Sequence, residues 1–333
     1  MTDTSKLTSP TRRRLLAVCA ASTATLLPGI ASSPQTRHVT WRGIALGAEA
    51  QIQLVHADEQ FARKMLHGCV REISRLESIF SLYRPQSALN RLNRDGVLAS
   101  PQLELVELMA TALHFGDETD GAFDVSIQPL WSAYADHFAA PDADPDGPDA
   151  GRLQHALDLI DYRQIRSAAH QISYARPGMA VTLNGIAQGF ITDRISALLN
   201  QNGFHSVLVH LGETYASGAR SDGRPWQVGI SAPVADGALL KKVNLRNRAL
   251  ATSGSYGHVF TPGGRRHHLF DPRTGLSTNN YKSVSVAAPS AANADALSTA
   301  FCAMPLAHIR SVLAHRAETQ ATIVKQDGAI IEL

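Results

Sequence analysis

The sequence predicts an α+β protein, because its strand-like segments come in runs and its helices in groups rather than in strict alternation. Two further observations bear on the architecture. The 333 residues are 44% hydrophobic and 18% charged, enough apolar material for one large domain or two modest ones. A Pro-, Asp- and Gly-rich stretch at 139–151, AAPDADPDGPDAG, reads as a flexible loop, and strands dominate from about residue 160 onward.

At the start of the chain, residues 1–31 carry Lys6, Arg12, Arg13 and Arg14 against Asp3, then an uncharged, largely apolar run from Leu15 to Leu27 and small residues up to Ala31. This is a signal-peptide pattern, too short to span a bilayer comfortably. Thr11-Arg12-Arg13-Arg14-Leu15-Leu16 resembles a twin-arginine signal, the route for proteins exported already folded. With cleavage after Ala31, the mature protein is expected in the periplasm, without stable membrane insertion. Four of the 31 Lys and Arg and one of the 29 Asp and Glu fall in this leader, so the remainder is close to neutral. The basic balance is therefore no sign of nucleic-acid binding, and no nucleic-acid motif occurs elsewhere.

Residues 38–333 read as the folded domain. HVTWRGIAL and AEAQIQLVH predict a hairpin around Gly47. Residues 58–83 predict a long amphipathic helix with Phe61, Met65, Leu66, Cys69, Ile73, Leu76 and Ile79 as its apolar stripe. A second helix is expected within 100–121, with Ser100 as N-cap, Pro101 in the first turn and Gly116 or Gly121 near its end. Strands are expected in GMAVTLN, SVLVHLG, TYASG, PWQVGIS, KKVNLRN, RALATSG, KSVSVAAP and ATIVKQ, and helices at about 187–201, 293–303 and 305–316. Cys19 leaves with the leader; Cys69 and Cys302, in helix-like apolar settings, read as buried free thiols.

Several stretches hold more Gly, Asp and hydroxyls than a core needs. In FSLYRPQSALNRLN, 80–93, a helix end, a Pro turn and a short helix suffice as an account. In GAFDVSIQPLW, 121–131, Asp124 interrupts an apolar, strand-like run and could cap the next element. VTLNGIAQGF, 181–190, is a strand–Gly–helix junction, which is either a plain turn or a helix N-terminus facing an anion. It has neither the P-loop nor the spaced dinucleotide pattern. RRHHLFDPRTG, 265–275, places two His before a turn. In NADALSTAFCAM, 293–304, Ala294, Leu297, Phe301 and Met304 form a core stripe, while Asp295 and Thr299 lie one turn apart among alanines with no Lys or Arg nearby. Asp295 either complements the helix dipole or belongs to a site.

Taken in order, FSLYRPQSALNRLN, GAFDVSIQPL, LNGIAQGF, LATSGSY, HHLFDPRTG and SVSVAAPSAANADALSTA resemble the ApbE family of FAD:protein FMN transferases, from about residue 40 to the C-terminus. The leader and the variant LNGIAQG and VHLGETYASG segments look most like the NosX branch, associated with nitrous oxide respiration. The resemblance implies a T-fold-like mixed architecture and transfer of the FMN half of FAD to a Ser or Thr of an acceptor flavoprotein, such as a NosR-type protein, with release of AMP. It implies Mg²⁺ held by Asp295, Thr299 and the Gly185 carbonyl, a donor set that suits a hard cation. For FAD it implies Leu46, Tyr83, Ala122, Phe123, Asp124, Thr182, Gln188, Ser253 and His268, with His268, then Asp271, as the base for the acceptor hydroxyl. Three departures stand out. The family's usual Asp-Leu-Gly-Gly-Ile-Ala-Lys-Gly is Thr182-Leu183-Asn184-Gly185-Ile186-Ala187-Gln188-Gly189 here, so a carboxylate becomes a hydroxyl and a lysine an amide; a Gly-Gly-Asp/Asn pattern becomes Gly212-Glu213-Thr214. A flavin carrier without transfer, or an enzyme that only hydrolyses FAD, are the alternatives these departures leave open.

Overall fold

A computed structural model of the chain describes residues 37–45, 47–233 and 238–333. The expected signal peptide and Leu46 lie outside the described residues. Strands β1 (Arg37–Ala45) and β2 (Ala48–His56) form the first hairpin, paired from Arg37 with His56 to Ala45 with Ala48. Helix α1 (Glu59–Phe80) starts at Asp58, whose side chain accepts the Phe61 N–H, and buries the predicted stripe from Leu66 to Ile79. Short helix α2 (Ala88–Asp95), capped by Ser87, leads into strand β3 (Val97–Ala99).

Helix α3 (Leu103–Glu118) begins later than expected. Ser100 does not cap it: its φ is 49° and its N–H goes to the His170 carbonyl, so Ser100 and Pro101 belong to the approach from β3. The strand-like run after Gly121 is also not a strand. Asp124 caps a 3-10 turn, Val125–Ile127, that continues into helix α4 (Gln128–Phe138) with Pro129 in its first turn. Segment 139–149 carries no regular element before α5 (Ala150–Leu157). Strands β4 (Ile165–Ala168) and β5 (Gln171–Tyr174) join β3 in a small sheet of order β3-β5-β4.

The expected strand at GMAVTLN has the right burial, with Met179, Val181 and Leu183 inside, but no strand partner among the described residues. Its backbone is satisfied instead by a side chain. The Asn93 amide accepts the Val181 N–H and donates to the Val181 carbonyl, both at 2.8 Å, while the Thr182 N–H reaches the Val125 carbonyl. Alternating burial cannot distinguish a ladder from one amide doing the same job.

The remainder builds the main sheet. Helix α6 (Ala187–Gln201) is followed by β6 (Val207–Leu211), β7 (Thr214–Ser217), β8 (Trp226–Ser231), β9 (Leu239–Leu245), β10 (Arg248–Gly254) and β11 (Tyr281–Ala288). Helices α7 (Ala291–Ala303) and α8 (Leu306–Ala314), then β12 (Gln320–Lys325) and β13 (Ile330–Glu332), complete the chain. Eight strands form one antiparallel sheet, order β1-β2-β6-β7-β10-β11-β12-β13, so the fold is α+β with antiparallel sheets. Helices α1, α6 and α7 pack on one face. The β8–β9 hairpin covers the other, with Trp226, Val228, Ile230 and Leu245 against Leu208, Ala216, Leu250 and Ala287. Cys69 and Cys302 are buried and unpaired, as expected. No helix among the described residues is long and apolar enough to cross a membrane.

Candidate functional site

Helix α7 is buried nearly all round, so its small-residue face is an interior face rather than a bland surface. Its N-terminus is already occupied. Ser290 caps it by accepting the Asn293 N–H, and Asp193 of α6 accepts the N–H groups of Ala291 and Ala292 at 2.7 and 2.9 Å. Asp193, not Asp295, therefore complements the dipole. Burial lifts the Asp193 carboxyl to about 6 despite those two donors.

That frees Asp295 for another role. It is 3% exposed, and its Oδ2 accepts the Gly189 N–H at 3.0 Å. Helices α6 and α7 touch here: a Cβ on Gly189 would lie 2.3 Å from the Ala291 carbonyl oxygen, so only glycine permits the approach. The diverted Gly189 N–H has a second effect. Gly185, one turn earlier, keeps a carbonyl on which no backbone N–H falls among the described residues. Gly185 in turn abuts α7, where its Cβ position is 3.1 Å from Thr299 Oγ1 and 3.3 Å from the Phe123 ring.

Three oxygens lie along this helix contact, and two of them make no protein hydrogen bond among the described residues. One is the Gly185 carbonyl. Another is the Asp295 oxygen that makes no hydrogen bond among the described residues, and the third is the Thr299 hydroxyl, which shares a hydrogen bond with Ser253 Oγ at 3.3 Å. Ser253 Oγ also lies 2.8 Å from Ser298 Oγ, and Ser298 donates to the Asp295 carbonyl, so a chain of hydroxyls backs Thr299. A carbonyl, a carboxylate and a hydroxyl form an all-oxygen set, and the residues present fit Mg²⁺. Burial, with the like charge of Asp193 adding to it, raises the Asp295 carboxyl to about 7 against the opposing Gly189 N–H.

Of the expected FAD positions, Phe123, Gln188 and Ser253 adjoin this centre. Tyr83, with a 66% exposed side chain, and Gln188 line one pocket with Phe80, Ser81, Leu82, Asn184 and Ala187. The Gln188 amide packs flat on Gly212, whose φ of 96° and lack of a Cβ make room for it. Ala122 and Phe123 are buried, and Phe123 touches the Gly185 turn. Asp124 is committed locally: its oxygens accept from the Ser126 N–H and hydroxyl and from the Tyr162 N–H, and burial raises it. Thr182 Oγ1 accepts the Asn184 N–H and shapes the junction before α6.

The two proposed bases part company. The half-buried His268 ring packs on Gly257, which is tied by its N–H to the Gly254 carbonyl next to Ser253. Desolvation lowers His268 to about 4, so the ring is neutral, with Nδ1 beside the His258 backbone. Asp271 is fully engaged by Arg273, whose guanidinium makes two bonds to its oxygens and one to the Ala303 carbonyl. This pair clamps the Asp-Pro-Arg-Thr-Gly turn to the C-terminal end of α7, eight residues and about 12 Å of helix from Asp295. Neighbouring His267 is buried, with Nε2 on the Thr278 carbonyl. Replacing Arg273 by methionine is expected to lower stability by about 1 kcal/mol, since the group is half exposed, and urea titration measures this.

Asp193, Gly189 and Ser298 were not expected as contributors. Gly189 and Asp193, four apart on one helical face, are the signal that points to a close helix contact with a carboxylate beside it.

A profile of the ApbE family matches residues 46–323. The chain is 31% identical over 302 residues to the FAD:protein FMN transferase of Salmonella typhimurium, covering 85% of this chain and 84% of that one. It is 34% identical over 265 residues to the protein of the same name from Treponema pallidum, covering 71% of each. Among solved structures, the ApbE protein of Thermotoga maritima superposes with a TM-score of 0.77 at 25% identity, over 89% of this chain and 96% of that one. Pseudomonas stutzeri flavinyl transferase ApbE in its apo form gives 0.75 at 27%, over 90% and 94%. With its α+β fold and a family match over most of its length, this chain belongs to the ApbE family.

Proposed function

We propose that the protein is a Mg²⁺-dependent FAD:protein FMN transferase of the periplasm, exported by the twin-arginine route, which flavinylates a Ser or Thr of a NosR-type acceptor supporting nitrous oxide reduction, as in the NosX branch. The observation that carries the chemistry is the contact of helices α6 and α7, where Gly185 abuts Thr299 and the Gly189 N–H holds the buried Asp295. When bound there, Mg²⁺ supplies charge compensation for the FAD pyrophosphate and the departing AMP.

The chain's own residues do the rest. The Gly189 N–H fixes one Asp295 oxygen and leaves the other without a hydrogen bond among the described residues. Tyr83 and Gln188 wall the adjoining pocket, where an exposed ring face offers stacking to a flavin or adenine. Gln188 occupies the place of the family's lysine and brings a hydrogen-bonding amide without charge. Neutral His268 is the base: the backbone of His258 presents both its N–H and its carbonyl to Nδ1, and the tautomer that donates Nδ1–H to that carbonyl leaves Nε2 a lone pair for the proton of the acceptor hydroxyl. Asp271 serves Arg273 and the turn instead.

The test incubates the mature protein with FAD, Mg²⁺ and a NosR flavin-domain fragment. Covalent flavin fluorescence on the acceptor, matched by AMP, is the expected result. AMP without adduct would make the protein a hydrolase, and tight FAD binding without AMP a carrier. For export, the double substitution Arg12→Lys and Arg13→Lys is expected to leave uncleaved precursor in the cytoplasm, read by fractionation and immunoblot.

A further inference from the structure

The pocket that holds Tyr83 has two walls from distant parts of the chain. One is the end of α1 with the loop at 81–84, and the other is Asn184, Ala187 and Gln188. Tyr83 is 66% exposed, so packing against the protein does not set where its ring lies. The loop backbone sets it instead. Three carbonyls of that loop turn onto a single group: Asn90 Nδ2 of α2 lies 3.3 Å from the Ser81 oxygen, 2.9 Å from Leu82 and 2.8 Å from Arg84. Three acceptors around one nitrogen identify it as the donor end of the amide.

Asn93, three residues on along α2, holds the chain that leads to the second wall. Besides its two bonds to the Val181 backbone, its oxygen accepts the Tyr174 hydroxyl at 2.6 Å. Val181 lies three residues before Asn184, where that wall begins. Residues three apart on a helix are neighbours, so one side of α2 reaches both walls. Helix formation gives no reason for this choice of residues. Asn is a weak helix former, yet it fills two of the eight positions of α2. Nor is the Asn90 side chain needed as a cap, because Ser87 already accepts the Asn90 N–H.

We propose that Asn90 is a positioning residue for the flavin donor: it fixes the loop at 81–84 so that the Tyr83 ring is held ready opposite the Gln188 wall, with Asn93 tying the same helix to the chain behind that wall. This rests on the reading of the pocket as part of the FAD site. Asn90 acts through Tyr83 alone. An aspartate in its place keeps the shape but turns oxygens toward three carbonyl oxygens, which replaces attraction by repulsion and leaves the carbonyls without their donor. The loop then loosens, and FAD must order the ring on binding, which lowers affinity.

FAD is the probe, titrated into the protein with Mg²⁺ present and followed by calorimetry. Tyr83→Ala is expected to weaken FAD binding about tenfold, the scale of a lost aromatic contact. Asn90→Asp is expected to weaken it by about the same factor, and Asn90→Ala to act in the same direction. Thermal unfolding shows which variants remain folded, and either Asn90 variant can carry the comparison. The decisive reading is the double variant: with Tyr83→Ala in place, either Asn90 substitution should weaken FAD binding by no more than about twofold further, because the ring through which Asn90 acts is already gone. A general structural defect would instead weaken binding equally in both backgrounds. An Asn90 loss that repeats in full without Tyr83, or Asn90→Ala and Asn90→Asp that bind FAD as tightly as the parent, would overturn this proposal alone. Undiminished FAD binding in Tyr83→Ala would remove the pocket reading and this inference together.

Discussion

Replacing Asp295 by alanine is expected to reduce FMN transfer by about three orders of magnitude while leaving the fold intact. The side chain is buried, and the one protein hydrogen bond it makes is to the Gly189 N–H. Removing it strips the site of an anionic donor but opens only a small cavity on a face otherwise made of Ala292, Ala296 and neighbours. The Gly189 N–H is then free to return to the Gly185 carbonyl one turn away, which compensates the lost bond and closes a second donor. Circular dichroism and thermal unfolding should change little, and a sodium-dodecyl-sulfate gel read by flavin fluorescence should lose the adduct. Asp295→Asn separates charge from shape, and it should remain severely impaired because a neutral amide does not replace a carboxylate toward Mg²⁺. Wild-type transfer in either variant would break the link between this face and the reaction.

The second large effect concerns Gly189. An alanine there would place its Cβ 2.3 Å from the Ala291 carbonyl oxygen, 2.5 Å from the Ala291 carbonyl carbon and 2.7 Å from the Ala292 Cα. All three are backbone atoms, so no side chain can swing aside and the two helices must separate. Overpacking of this kind costs about 3 kcal/mol, visible as a lower urea midpoint at unchanged slope. Separation also lengthens the bonds from Asp193 to Ala291 and Ala292 and from Gly189 to Asp295. One added methyl should therefore weaken both the fold and transfer, and weaken transfer even at temperatures where the variant is fully folded. A variant as stable and as active as the parent would show that the helix contact is not rigid.

How much of this was legible in the sequence depends on how far apart the partners lie. The Asp295–Thr299 pair was readable because a helix makes residues four apart neighbours, and α7 runs where the periodicity put it. The junction at Asn184-Gly185 was readable as strand-like chain, glycine and helix, although the chain before it proved to hang on Asn93, 88 residues away, instead of joining a sheet. The choice between dipole capping and a site role for Asp295 was not decidable locally. The partner that takes the α7 N-terminus, Asp193, reaches it across 98 residues of sequence. Asp124 illustrates the opposite case: its cap lies two residues on, and that reading was open from the start. Ser100 misled because a Ser-Pro pair before an apolar run usually opens a helix, whereas here the chain turns at Ser100, with φ at 49°, and the helix opens only after Gln102.

The contact between Gly189 and Asp295 spans 106 residues, and this has a consequence for how the protein comes into being. Contacts of such separation form only after the intervening chain has closed a long loop, an entropic hurdle that places them late in folding. A chain with only β1 to α6 in place holds the Gly185 turn and nothing to meet it; a chain with only α7 holds a carboxylate with no N–H to orient it. On the proposed metal reading, cation capture is therefore a property of the finished molecule alone. A nascent or partly unfolded chain would compete poorly for metal, and occupancy of the site would report, better than helix content, that the last pieces have docked.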